Sequence, residues 1–151
     1  MDSALGIHKA TLENVVLLAS RFLLAGLCVH EGVFLALNFD AASATMSKIG
    51  VPAPALAATI GLQLVAGMAI AVGWHARLGA ATLGFFCLAT ALLFHTNFAN
   101  RNELLHFEKD LAIAGGMFIL MLHGAGAYSV RGLAGQGEEY ESNWRWRFRA
   151  F

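Results

Sequence analysis

Four apolar stretches fill most of the chain, over residues 15–37, 55–73, 78–96 and 108–125. Each is long enough, or nearly so, to cross a bilayer, which takes about 20 mostly apolar residues. That pattern decides the solvent, and the solvent decides the structure. In lipid every backbone N–H and C=O must find its partner inside the protein, so such segments fold as helices. Composition agrees: of 151 residues, 58% are hydrophobic and 13% charged, against about 25% charged in soluble domains. The mean hydropathy is +0.61. The expected fold class is all-α, an integral membrane four-helix bundle with short loops. A net charge of zero gives no pull toward nucleic acid. The expected partners are membrane lipids and other membrane protein subunits.

Residues 1–14 mix Leu5, Ile7 and Leu12 with Asp2, His8, Lys9 and Glu13. They read as an amphipathic lead at the membrane surface. Their mixed charge, and the long apolar run that follows, do not match a cleaved signal. Residues 15–130 form the four-helix domain. Within it, residues 38–54 are expected to be a loop ending in Val51-Pro52-Ala53-Pro54, residues 74–77 a tight turn, and residues 97–107 a polar loop. Proline is tolerated in a first helical turn, so the second helix should start at that dipeptide repeat. Residues 131–151 form a tail in which Trp144, Arg145, Trp146, Arg147 and Arg149 alternate ring and charge. Aromatic rings favour the interface and arginines attract anionic headgroups. The same residue types also favour docking on a partner subunit.

Orientation follows from the loop cations. One side carries Lys9, Arg77, Arg131, Arg145, Arg147 and Arg149, the other Lys48, Arg101 and Lys109. The positive-inside rule then makes both termini cytoplasmic. Small residues in the apolar runs, among them Gly61, Gly67, Gly79, Gly84, Gly115 and Gly116, should let the helices approach closely.

Ionisable groups inside spanning segments are costly and are the first functional suspects. Helix one carries Arg21, His30 and Glu31. Arg21 is about six residues from the cytoplasmic end, roughly 9 Å at 1.5 Å per residue. It can snorkel or pair within the bundle. Glu31 lies roughly 9 Å and Gln63 roughly 12 Å from the outer face by the same rise, so the two are expected to meet inside. His95 closes the third apolar stretch, while Glu103, His106, Lys109 and Asp110 precede or open the fourth. The outer half is therefore unusually polar. Arg21, His30, Glu31, Gln63 and His95 are the candidate cofactor-binding set, able to bond the carbonyl oxygens of a quinone head and to move protons. No metal centre is expected, because no His-Glu-x-x-His or comparable spacing occurs. A haem held by His30 and His95 is the other redox option. Cys28 and Cys87 lie mid-helix without a Cys-x-x-Cys, which argues against thiol-exchange chemistry. They read as small buried residues.

Several segments in this order resemble the DoxX family of four-helix membrane proteins. They are Arg21-Phe22-Leu23-Leu24-Ala25-Gly26 with Gly32, Ile49-Gly50-Val51-Pro52-Ala53-Pro54, Gly61 to Gly73, and Arg77-Leu78-Gly79-Ala80. Phe107-Glu108-Lys109-Asp110-Leu111-Ala112 with Gly115-Gly116 and Gly124-Ala125-Gly126-Ala127-Tyr128-Ser129 complete the set. The resemblance implies a multi-pass protein of the bacterial cytoplasmic (inner) membrane. It also implies kinship with a small subunit of thiosulfate:quinone oxidoreductase and with membrane partners of redox proteins. Where that family often has a lysine three residues after its glycine, this chain has Leu35. Where it often has a glutamate in helix two, this chain has Gln63, and the common asparagine is Asp110 here.

No catalytic residue is assigned. The leading expectation is a small accessory subunit that anchors or stabilises a larger membrane complex, with redox the expected business of that complex. The alternative is a quinone-interacting subunit of a membrane oxidoreductase. A small-solute carrier is the third reading, disfavoured because no broken-helix pair is present.

Overall fold

The computed structural model describes residues 2–134, with side chains from residue 11 onward. The aromatic and basic tail group of Trp144, Arg145, Trp146, Arg147 and Arg149 lies outside the described residues. Among the described residues every element is helical: α1 (Asp2–Leu37), α2 (Phe39–Ser47), α3 (Ala53–Val72), α4 (Ala76–Phe94), α5 (Arg101–His123) and α6 (Val130–Leu133).

Among the described residues three helical segments are long and apolar enough to cross a membrane: Thr11–Leu37, Ala53–Val72 and Ala76–Phe94. The fourth long helix, α5, differs for a readable reason. Its 23 residues rise about 34 Å, but five of the first ten are charged: Arg101, Glu103, Glu108, Lys109 and Asp110. The apolar part, residues 111–122, rises only about 18 Å.

Two expectations about connections change. α1 runs on from Asp2 without a break at residue 15, since residues 7–14 contain neither proline nor glycine to stop it. Residues 38–54 are not simply a loop: the alanine-rich run Phe39-Asp40-Ala41-Ala42-Ser43-Ala44 favours helix, and Asp40 sits in the first turn of α2, where a carboxylate suits the helix dipole. Likewise α5 starts at Arg101, capped by Asn100, whose side chain accepts from the Asn102 N–H. The stretch expected as a polar loop therefore supplies two turns of helix. The proline signal holds: Pro52 is the extended N-cap of α3 and Pro54 lies in its first turn.

α1 packs on α3, α3 on α4, and α4 on α5, while α1 and α5 share a shorter seam. The common core draws Ala25 and Cys28 from α1, Ala66 and Ile70 from α3, Leu83 and Cys87 from α4, and Met117 and Leu120 from α5. Without a hydrophobic drive in lipid, contact between such helices depends on close packing. A Cβ on Gly67 would lie 2.8 Å from Val29 Cγ2, and one on Gly79 3.0 Å from the Ala66 carbonyl oxygen. On Gly84 it would lie 2.9 Å from the Phe118 ring. Gly61 and Gly115 differ, with nothing within 4 Å. Gly84→Leu is therefore expected to push α4 off α5 and cost about 2–3 kcal/mol, as overpacking does. Gly61→Leu should leave the thermal unfolding midpoint in detergent almost unchanged. Equal midpoints for the two variants would defeat this account of the packing.

Candidate functional site

The two ends of the bundle carry different chemistry. At the end formed by the α3–α4 turn and the C-terminus of α5, Arg21 is buried, at 1% exposure. The cation is held by backbone carbonyls. Its Nε donates to the Ile70 carbonyl (3.1 Å) and its Nη2 to the Ala71 carbonyl (2.7 Å). Its Nη1 donates to the carbonyls of Ala125 and Tyr128, both at 2.7 Å. The last carbonyls of a helix lack intrahelical partners and carry the negative end of its dipole. One guanidinium thus satisfies the C-terminus of α3 and the chain leaving α5, and joins both to α1. Asn14 adds a second tie, its Oδ1 accepting from the Ala127 N–H at 2.9 Å. Of the two sequence options for Arg21, the structure has it paired inside the bundle, on backbone oxygens.

The opposite end holds a polar network between α4 and α5. Glu103, His106 and Asp110 recur at three and four residues, which puts them on one face of α5. Glu103 Oε2 lies 2.8 Å from His95 Nδ1. His95 Nε2 lies 3.9 Å from Asp110 Oδ2. Thr90 Oγ1 donates to Asp110 Oδ2 at 3.1 Å. His106 stacks on His95 with ring centroids 5.1 Å apart, and Lys109 Nζ is 3.4 Å from His106 Nδ1. The network therefore descends from the exposed His106 and Lys109, through half-buried His95 and Asp110, to Thr90 and the core beside Cys87. Among the described residues no three His, Cys, Asp or Glu side chains converge as a metal centre.

The five candidate residues do not form one cluster. Arg21 and His95 lie at opposite ends of the bundle, since α4 runs about 28 Å between them at 1.5 Å per residue. Glu31 and Gln63 do not meet: Glu31 is exposed, whereas Gln63 is buried with its Oε1 unpartnered. The reason is rotational, because Gly32 and not Glu31 is the residue of α1 against Gln63. A Cβ on Gly32 would come within 3.2 Å of Gln63 Cβ. His30 is exposed as well and does not face His95. Cys28, one turn before Gly32, lies with Cys87 in the common core.

Thr90 is inconspicuous in the sequence, since a hydroxyl in an apolar helix usually bonds its own backbone, as Thr90 also does to the Cys87 carbonyl. That Cys28 and Cys87 share one core is equally illegible, because it depends on helices that are distant in sequence.

The fold and the ionisable groups buried in it define a small helical integral membrane protein. The chain matches the DoxX family over residues 16–96, and it belongs to that family. It is 37% identical to the inner membrane protein YqjF of Escherichia coli over 119 residues, which are 79% of this chain and 92% of the relative. It is 30% identical to the inner membrane protein YphA of the same organism, over 77% of this chain and 88% of the relative. This chain is likewise a protein of the inner membrane. No solved structure matches it.

Proposed function

We propose that this protein is an accessory subunit of an inner-membrane redox complex, and that its own contribution is a binding site for the head group of a quinol. In this reading residues 15–130 form the four-helix domain, α5 is the fourth span, both termini are cytoplasmic, and the tail anchors the chain at lipid headgroups or on a neighbouring subunit. The observation that carries it is the unpartnered Oε1 of Gln63 in the bundle interior. A buried polar atom without a hydrogen bond costs about 1–3 kcal/mol, and lipid supplies no donor to relieve it. A carbonyl acceptor kept there suits a hydroxyl donor, and the phenolic O–H of a quinol is one that membranes hold.

The remaining residues supply the proton chemistry. Reduction of a quinone takes up two electrons and two protons, and oxidation of the quinol releases them. The electrons pass to or from another subunit of the complex. The protons have a route in the series Asp110, His95 and Glu103, which ends at the outer surface when the termini are cytoplasmic. Imidazole between two carboxylates is suited to that relay, since it accepts on one nitrogen while donating on the other.

Titration of decylubiquinol into the protein in nanodiscs, followed by calorimetry, tests the site. Gln63→Leu is expected to weaken binding at least tenfold, about the worth of one buried hydrogen bond. Binding that is absent from the wild type, or unchanged by Gln63→Leu, would remove the quinol site. Mass spectrometry of complexes purified from native membranes tests the subunit role. Recovery of the chain without stoichiometric partners would sink it. A pure anchor is the second reading, and stoichiometric partners with no quinol binding would favour it.

A further inference from the structure

The face of α1 turned away from the bundle has a regular pattern of its own. The inward face is Arg21, Ala25, Cys28 and Gly32. Opposite it lie Leu23, Leu27, His30, Phe34 and Leu37, all exposed, with Leu23 at 76% and Leu37 at 80%. Their spacing alternates four and three residues, the seven-residue repeat of a seam between two helices. His30 sits at the centre of that seam.

Its depth makes it anomalous. Gly32 lies against Gln63, the eleventh of the 20 residues of α3. His30 is two residues away, about 3 Å of rise, and so lies near the middle of a helix long enough to span the bilayer. Its imidazole makes no hydrogen bond to the described residues of its own chain. At that depth one N–H donor and one nitrogen acceptor would both face hydrocarbon, which cannot satisfy either.

We propose that this face of α1 is an interface between two copies of the protein, related by a two-fold axis along the membrane normal, with His30 bonded to the same residue of the second copy. Two features select a second copy. A neutral imidazole carries one donor and one acceptor, so it is complementary to another imidazole. Two copies inserted in the same sense are parallel at the axis, so the second residue arrives at the same depth by symmetry. A single polar residue in an apolar seam also holds register, because any slip strands it. The seam lies on the opposite side of α1 from Gln63, so quinol binding and dimerisation stand or fall separately.

Full-length protein in nanodiscs tests this by mass photometry and by oxidative cross-linking in native membranes. The wild type should have the mass of a dimer. Leu27→Cys should cross-link to a product of twice the chain mass, whereas Leu78→Cys, an exposed position on α4 (68%), should not. His30→Leu, which places an apolar group where the monomer would meet lipid, should weaken the dimer at least tenfold without unfolding the chain. His30→Asn retains a donor and an acceptor and should restore part of the loss. A monomeric wild type, a dimer indifferent to His30→Leu, or cross-linking of Leu27→Cys only to a different protein would each overturn the proposal.

Discussion

Arg21→Ala is expected to be the most damaging single substitution among the described residues, costing at least about 3 kcal/mol. The guanidinium donates four hydrogen bonds, at 2.7–3.1 Å, to carbonyls on two separate segments. A hydrogen bond to a charged group contributes about 1.5–3 kcal/mol. Four bonds to one side chain do not add, so about twice the lowest single-bond value is the safe expectation. Alanine would also take the side-chain donor from the carbonyls of Ala71, Ala125 and Tyr128, while the Ile70 carbonyl would keep the Gly73 N–H at 3.0 Å. Lysine is not a substitute. Its ammonium is a compact point charge with three donors, and it cannot span both the end of α3 and the chain beyond α5. Arg21→Lys should therefore recover less than half of the loss. Thermal unfolding followed by circular dichroism in a mild detergent measures both variants. A midpoint for Arg21→Ala close to that of the wild type would show that these bonds contribute little.

Gly73→Ala should cost about 2–4 kcal/mol through the same junction. Gly73 ends α3 in the left-handed region, at φ +76° and ψ 25°, where a Cβ costs roughly 1–2 kcal/mol. The added methyl would also overlap Ser129 Cβ and lie 3.0 Å from Arg21 Nη2. Ser129 has little freedom to retreat, since its hydroxyl donates to the Gly126 carbonyl at 2.8 Å and accepts from the Gly132 N–H at 3.0 Å. Because alanine disturbs the groups that Arg21 holds, the Arg21→Ala and Gly73→Ala losses should fall short of adding in the double variant. Strict additivity in that cycle would separate the two effects and remove the junction as their common cause.

Much of the fold was legible as length and hydropathy. The second and third apolar stretches coincide with α3 and α4 to within about two residues, because Val51-Pro52-Ala53-Pro54 and the Gly73-Trp74-His75 turn mark their boundaries sharply. The ends of α1 and α5 were less legible. Residues 1–14 read as a separate amphipathic surface lead and residues 97–107 as a polar loop, yet both supply helix that tertiary contacts hold, as with Glu103 against His95 and Asn14 against Ala127.

The site divides along the same line. Distance along a helix converts to depth at a fixed rise, so the concentration of His95, Glu103, His106 and Asp110 toward one end could be read directly. Which way a residue faces is a second coordinate, and hydropathy says little about it when a helix is apolar on every side. Arg21 and His30 are nine residues apart, half a turn out of phase at 100° per residue. The sequence by itself determined that they face opposite ways. Only the packing of α1 on α3 and α5 decided that Arg21 turns inward to the orphan carbonyls and that His30 turns outward to the membrane.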